Sequence, residues 1–178
     1  MKVYEGFITV RKFGRKEVVK TTNAVAFLIV DPIREVVLLI SQCRKAMVRR
    51  GNPDGAIVEV PAGRRDLVIG IKKLVAKEAY EEVGKRFAVE QIRLINHGIP
   101  LASSPGILTE RVWLAIIEAD LRSCIKDSSK TYGLAAHGER IRRRVVSFRE
   151  LERMTFEDMK AFALVQFFLN EQREKGRL

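Results

Sequence analysis

Cysteine is nearly absent: Cys43 and Cys124 are the only two, 81 positions apart and outside any CxxC pair. That argues against a disulfide framework or a cysteine zinc site, and both thiols are expected to be buried. Long apolar runs are missing too. The longest near the front, Ala24 to Val30, falls far short of the roughly 20 residues that cross a bilayer. The opening MKVYEGFITVRKF alternates apolar and polar residues and lacks the apolar stretch and cleavage site of a secretory signal. No membrane partner is expected, and a cytoplasmic location is. Acidic residues are the scarce charge, 22 against 33 Lys+Arg, for a net +11 at pH 7. Such a balance favours anionic partners such as phosphates, nucleotides or nucleic acid. Because the basic residues are spread along the whole chain, most of the excess is read as solvated surface. Of the two histidines, His97 stands between Asn96 and Gly98 with no chemical partner and is read as structural.

What is present suits one well-filled core: 178 residues, 47% hydrophobic and 31% charged. YEGFITVRKF and EVVKTT, separated by Gly14, read as a small β-hairpin, an extension over residues 1–22 ahead of a domain over residues 23–178. AVAFLIV and EVVLLI flank DPIR, whose Asp-Pro start favours a tight connection between antiparallel strands, and should form the sheet centre. AIVEVPAG reads as a strand ending at a proline. VEQIRLINHGIPL and RVWLAIIEA read as strands around the loop LASSPGILTE, and a second loop, DSSKTYGLAAHGER, precedes the strand RRRVVSF. A last helix is expected near Thr155, with Asp158 in an approximate capping box and Phe156, Met159, Ala163, Val165 and Phe167 turned inward. Strands followed by helices give an α/β architecture, a mixed β-sheet sandwiched between α-helices.

The acidic minority is not evenly spread. In PAGRRDLVIGIKKLVAKEAYEEVG, residues 61–84, Glu78, Glu81 and Glu82 fall within five positions, and Gly84 is a natural helix stop. On a helix, Glu78 and Glu82 lie about 40° apart and Glu81 about 60° from Glu78 on the other side. Carboxylates this close repel unless something positive sits among them: lysines, or a divalent cation. An ordinary solvated face is the alternative, since Lys72, Lys73, Lys77 and Lys85 share the segment.

The frame around the glutamates resembles the Nudix box, G, five residues, E, seven residues, REUxEExGU with U aliphatic, at Gly63, Glu78, Ala79, Glu81, Glu82 and Gly84. Three positions depart: the first box glutamate is Ile69, the arginine is Lys77 and the final aliphatic is Lys85. The resemblance implies a Nudix fold, and that the missing glutamate and arginine brace one another in the family, so that their joint loss is coherent. It assigns metal binding to Glu78, Glu82 and the carbonyl of Ala62, with Glu81 assisting. Hard cations such as magnesium, or manganese, prefer oxygen ligands and keep positions open for water and phosphate. Held against a diphosphate, they would neutralise charge and lower the pKa of an attacking water.

Further tracts are similar to the branch of ADP-ribose pyrophosphatases and nucleoside diphosphate sugar hydrolases. LLISQCRKAM resembles a strand ending in Gln-x-Arg, and VEVPAG resembles Glu-x-Pro-Ala-Gly. These imply that Gln42, Arg44 and Glu59 lie near substrate, where an arginine fork suits phosphate. SSPGILTER looks like the branch's Ser-Pro-Gly loop and implies Ser104, Gly106, Glu110 and Arg111 at the pocket wall. YGLAAHGERI is similar to a loop whose acidic cluster supplies a base and a metal ligand, here His137 and Glu139; a histidine suits proton transfer near neutrality. The expected activity is a magnesium-dependent pyrophosphohydrolase that cleaves ADP-ribose or a similar nucleoside diphosphate sugar to a nucleoside monophosphate and a sugar phosphate. The partners implied are a small nucleotide substrate and a second copy of the chain, related enzymes pairing through an amino-terminal sheet. One alternative is a catalytically weakened nucleotide-binding module, suggested by Ile69 and Lys77. Another is an RNA-directed hydrolase, suggested by the net charge and by Arg140, Arg142, Arg143 and Arg144, although no stacking aromatics are interleaved there.

Overall fold

Alternation of buried apolar side chains is the organising feature of the fold. The computed structural model describes residues 2–5, 8–126, 130–134 and 138–176. Strand β4 (Ala24–Asp31) is buried along its entire length. Its Ala24, Ala26, Leu28 and Val30 face one apolar layer, while Val25, Phe27 and Ile29 face another. A strand covered on both faces must be apolar throughout, which explains the unbroken AVAFLIV run. Strand β5 (Val36–Cys43) alternates in the same way and pairs antiparallel with β4, Ile29 opposite Leu38 and Val30 opposite Val37. The expected tight connection is present: Asp31 Oδ1 accepts the N–H groups of Ile33 at 3.2 Å and Arg34 at 3.1 Å.

After β5 come the short strands β6 (Ala56–Glu59) and β7 (Ala62–Arg64), then helix α1 (Ile71–Val83). Strand β8 (Ile92–Leu94) is followed by β9 (Leu101–Ala102), β10 (Arg111–Glu118) and helix α2 (Arg122–Lys126). Strands β11 (Thr131–Tyr132) and β12 (Ile141–Ser147) lead to helices α3 (Phe148–Leu151) and α4 (Met159–Glu174). Among the described residues these strands form one nine-stranded sheet with the main path β11-β12-β5-β4-β10-β8; β6 and β7 pair onto β5 and β4, and β9 onto β10. The sheet is mixed, since β10 runs parallel to β4 and antiparallel to β8. Helix α1 covers one face and α3 with α4 the other, giving the expected α/β sandwich. Among the described residues no helix is long and apolar enough to cross a membrane.

Three local differences from expectation have physical causes. The amino-terminal extension is a separate sheet of three strands, β1 (Lys2–Glu5), β2 (Thr9–Phe13) and β3 (Lys16–Lys20), because the stretch read as one strand divides into an antiparallel pair. Most of VEQIRLINHGIPL is not extended: short 3-10 turns flank β8, and Asn96 and His97 take left-handed backbone, both at φ 52°. Helix α4 starts at Met159 with Asp158 itself as N-cap, its Oδ2 accepting the Ala161 N–H at 3.0 Å. Its buried stripe is Ala161, Leu164, Val165, Phe168 and Leu169, so Met159 and Phe167 fall outside it at 56% and 36% exposure.

Candidate active site

Helix α1 is amphipathic in an unusual sense. Leu74, Val75, Ala79 and Val83 pack into the core, and Glu78 and Glu82 are buried beside them at 8% and 7% exposure. Gly84 ends the helix in the left-handed region at φ 66°, its N–H donating to Tyr80 O, the stop that its sequence position suggests. Gly63 is required for a different reason: a side chain there would collide with the Glu78 carboxyl group. Strand β7 therefore lies directly against the helix, and the Ala62 N–H donates to Glu82 Oε2 at 2.8 Å.

These groups border a cavity of about 710 Å³. Ala62, Glu78, Glu81 and Glu82 form one side, and Arg44, Glu110 and Glu139 also reach it. Arg44 is held by Glu59, with Nη2 to Oε2 at 2.8 Å and Nε to both oxygens at 3.1 Å. Gln42 Nε2 donates to the same Oε2 at 2.7 Å. Glu59 is thus buried behind the arginine and orients it, rather than facing the cavity. Glu139 Oε2 accepts the Leu134 N–H at 3.0 Å. The segment before it is tied to the helix by Gly133, whose N–H donates to Glu81 O at 3.2 Å.

Electrostatics mark the acidic side as short of positive charge. Burial, opposed by the Ala62 N–H and reinforced by Glu78 and Glu139, pushes the Glu82 carboxyl up to about 8. Burial also raises Glu78, against the pull of Lys77 and with help from Glu81 and Asp66. Lys77 supplies the nearest cation, its Nζ lying 3.1 Å from Glu78 Oε1 and 2.8 Å from Glu81 Oε2. As they stand, the side chains answer to these partners: among the described residues no three His, Cys, Asp or Glu groups converge on a common ion position. The donor set nevertheless fits a hard divalent cation in its chemistry, buried carboxylate oxygens beside a roomy cavity with uncompensated negative charge.

Ser104, Gly106 and Arg111 are not among the residues that line this cavity. Ser104 O accepts the Ile107 and Leu108 N–H groups in a turn, and the Arg111 N–H donates to Asn23 Oδ1. His137 lies outside the described residues. Sequence reasoning missed Arg64, Asp66 and Lys160, which all line the cavity. Asp66 stands three positions after Gly63 in the loop leading to α1, a signal that was there to use. Lys160 comes from the first turn of α4, held 2.9 Å from Asp158 Oδ1, and nothing local in the sequence points from it to the glutamates.

The chain is 36% identical over 104 residues to GDP-mannose pyrophosphatase of Enterobacter sp. (strain 638), covering 58% of this chain and 51% of that one. It is 29% identical over 133 residues to ADP-ribose pyrophosphatase of Escherichia coli O6:H1, covering 75% and 59% respectively. A crystal structure of an ADP compounds hydrolase superposes with a TM-score of 0.68 at 13% identity, over 100% of this chain and 94% of that one. The resemblance to the Nudix pyrophosphatases holds. The fold is the Nudix fold, with the amino-terminal sheet added. No family model matches the chain, and the chain spans about half the length of the GDP-mannose pyrophosphatases it matches. Within the Nudix fold the box glutamates occupy the cavity wall, and the departures at Ile69 and Lys77 acquire a structural meaning: Ile69 packs partly buried against the core layer beneath α1, and Lys77 turns to the glutamates.

Proposed function

We propose that this chain is a divalent-metal-dependent pyrophosphohydrolase that cleaves the diphosphate of ADP-ribose or a similar nucleoside diphosphate sugar. The observation that carries this reading is the pair of buried glutamates, Glu78 and Glu82, beside a cavity that also presents the Arg44 guanidinium. Glu78, Glu82 and the Ala62 carbonyl would hold magnesium or manganese, which, when bound, offsets phosphate charge and lowers the pKa of a water. Arg44, oriented by Glu59, donates to phosphate oxygens through its planar fork. Glu139, at the cavity and fixed by the Leu134 N–H, takes the proton as the water oxygen bonds to phosphorus, with Glu81 as the neighbouring carboxylate. The bridging P–O bond breaks, leaving a nucleoside monophosphate and a sugar phosphate. The similarity to pyrophosphatases of GDP-mannose and of ADP-ribose supports this substrate class. A second copy of the chain, joined through the amino-terminal sheet, belongs to the same reading.

The test is Glu82→Gln, with a panel of ADP-ribose, nucleotide sugars and dinucleoside polyphosphates followed by product chromatography. Turnover of ADP-ribose or a nucleotide sugar should fall about 100- to 1,000-fold, the range for removing one group that stabilises developing charge, with an unchanged circular dichroism spectrum. Retained turnover would refute the assignment. A second reading, a nucleotide-binding module with weakened catalysis, draws on the contact of Lys77 with Glu78 and Glu81. Calorimetric binding of nucleotide without product at high enzyme and magnesium would select it.

A further inference from the structure

Helix α1 carries its own cation among its acids. Lys77 Nζ sits 2.8 Å from Glu81 Oε2 and 3.1 Å from Glu78 Oε1, so one ammonium is shared by two carboxylates on the cavity side of the helix. Glu81 lies at the ordinary i, i+4 reach, whereas Glu78 is the next residue along the chain and is met by the bend of the long lysine stem; neither contact needs a residue from another element. Position 69, on the loop leading into α1, offers no competing carboxylate: it is an isoleucine, partly buried in the core layer beneath α1. Lys77 is therefore left to answer the nearest uncompensated negative charge. Its side chain is 32% exposed, against 10% for Glu78 and 25% for Glu81, so the ammonium stands at the solvent side of the group it neutralises. A lysine head is a compact, strongly hydrated charge on a flexible four-carbon stem, able to withdraw into water where a buried carboxylate cannot.

We propose that Lys77 is a built-in, exchangeable counter-ion of the acidic wall, which a divalent cation must displace, so that this one side chain sets the metal affinity of the site. This rests on the reading of Glu78 and Glu82 as metal ligands. With Lys77 in place, Glu78 Oε1 and Glu81 Oε2 are committed to the ammonium. Displacement of the ammonium frees those oxygens, and residual repulsion between it and a bound cation weakens binding further. The consequence is a protein whose metal-free state is stabilised by its own lysine and whose apparent metal affinity is lowered by that same side chain.

The experiment is calorimetric titration of the full chain with Mn²⁺, checked by the loss of the free-Mn²⁺ paramagnetic resonance signal, on wild type, Lys77→Gln and Lys77→Arg. Lys77→Gln should bind Mn²⁺ about tenfold or more tightly, a modest fraction of what removing a unit charge at contact distance can yield. The melting temperature of metal-free Lys77→Gln should be lower than that of wild type, and the gap should close or reverse at saturating Mn²⁺. Lys77→Arg, which keeps the charge, should bind like wild type, which separates charge from packing. If both wild type and Lys77→Gln bind Mn²⁺ and the variant binds equally or more weakly, the counter-ion role is overturned while the metal site stands. If neither binds, the metal assignment falls and this inference with it. Should Lys77→Gln fail to fold, Lys77→Met, which keeps the stem and loses the charge, carries the same expectations.

Discussion

Helices α1 and α4 cover the two faces of one sheet, yet they fill their buried stripes differently. Helix α4 buries Ala161, Leu164, Val165, Phe168 and Leu169, with Gln172 as its one buried polar residue. Helix α1 buries Leu74, Val75, Ala79 and Val83 together with two carboxylates, Glu78 and Glu82. An apolar stripe lowers the free energy of the fold at every position, whereas a buried acid raises it unless it is paired or kept protonated. The difference separates a helix that holds the protein together from one that carries an unfavourable arrangement, the mark of a candidate functional site. It also means that truncating the apolar stripe of α4 and neutralising the buried acid of α1 at Glu82 should move stability in opposite directions.

The largest effect on stability is expected on α4. Phe168 is 2% exposed and meets Phe148 edge-on, ring centroids 4.9 Å apart at 72°. Phe168→Ala should cost about 3–5 kcal/mol by lost transfer and cavity formation, measured by urea unfolding, while turnover per folded molecule stays near wild type. A cost below about 0.5 kcal/mol, in the range of an exposed site, would show that α4 is not the anchor described.

On α1 the corresponding change should stabilise. The Glu82 carboxyl stands at about 8 in the metal-free fold, against 4.5 ordinarily, with Glu78, Glu139 and Arg44 the charged groups around it. Below the ordinary value both folded and unfolded chains hold the proton, and the site has no effect on stability. Between 4.5 and about 8 the folded chain keeps a proton that the unfolded chain releases, so stability falls as pH rises and levels off above that window. The slope should reach about 1.4 kcal/mol per pH unit at its steepest. Glu82→Gln should remove that component of the decline, so that in chelator the variant becomes the more stable protein toward pH 8 even as it loses turnover. Urea midpoints measured across this range for both proteins decide it; parallel profiles would sink the claim that burial of Glu82 is uncompensated.

The two helices were also unequally legible in the sequence. The acid face of α1 could be read because three glutamates, Gly63 and Gly84 are local, fixed in spacing and each required by backbone or charge. The extent of α4 was misjudged because Thr155 and Asp158 are both good caps, and spacing alone does not say which begins the helix. The side chain of Asp158 decides it by reaching the Ala161 N–H. The far wall of the cavity was read in part. Arg44 and Glu59 were found by resemblance, but that Glu59 lies behind Arg44 as its orienting partner is a matter of strand pairing, Ile40 opposite Glu59. Lys160 was missed because its arrival at the cavity depends on where α4 docks, a tertiary fact with no local trace. The fate of Lys77 was the subtlest, since a lysine in a helix full of lysines looks like solvated surface until its distances to Glu78 and Glu81 are known.

The smallest stability effect, though one that reaches function, is expected where α1 ends. Gly84 has φ 66°, and a side chain there would collide with the Tyr132 ring, which packs over the helix end with the Arg143 guanidinium 4.6 Å from its centroid. Gly84→Ala should cost about 1–2 kcal/mol from the left-handed backbone alone, less than the truncation on α4. It should also push Tyr132 away, and Tyr132 precedes Gly133, whose N–H holds Glu81 O, and the segment that positions Glu139. Turnover should therefore fall by more than the loss of folded protein explains, the reverse of Phe168→Ala. Tyr132→Phe, which retains the ring, should keep turnover, and Tyr132→Ala should mimic the glycine variant. If Gly84→Ala destabilises the protein but leaves turnover per folded molecule intact, the contact between helix end and loop serves the fold alone, and Glu139 must be positioned from elsewhere.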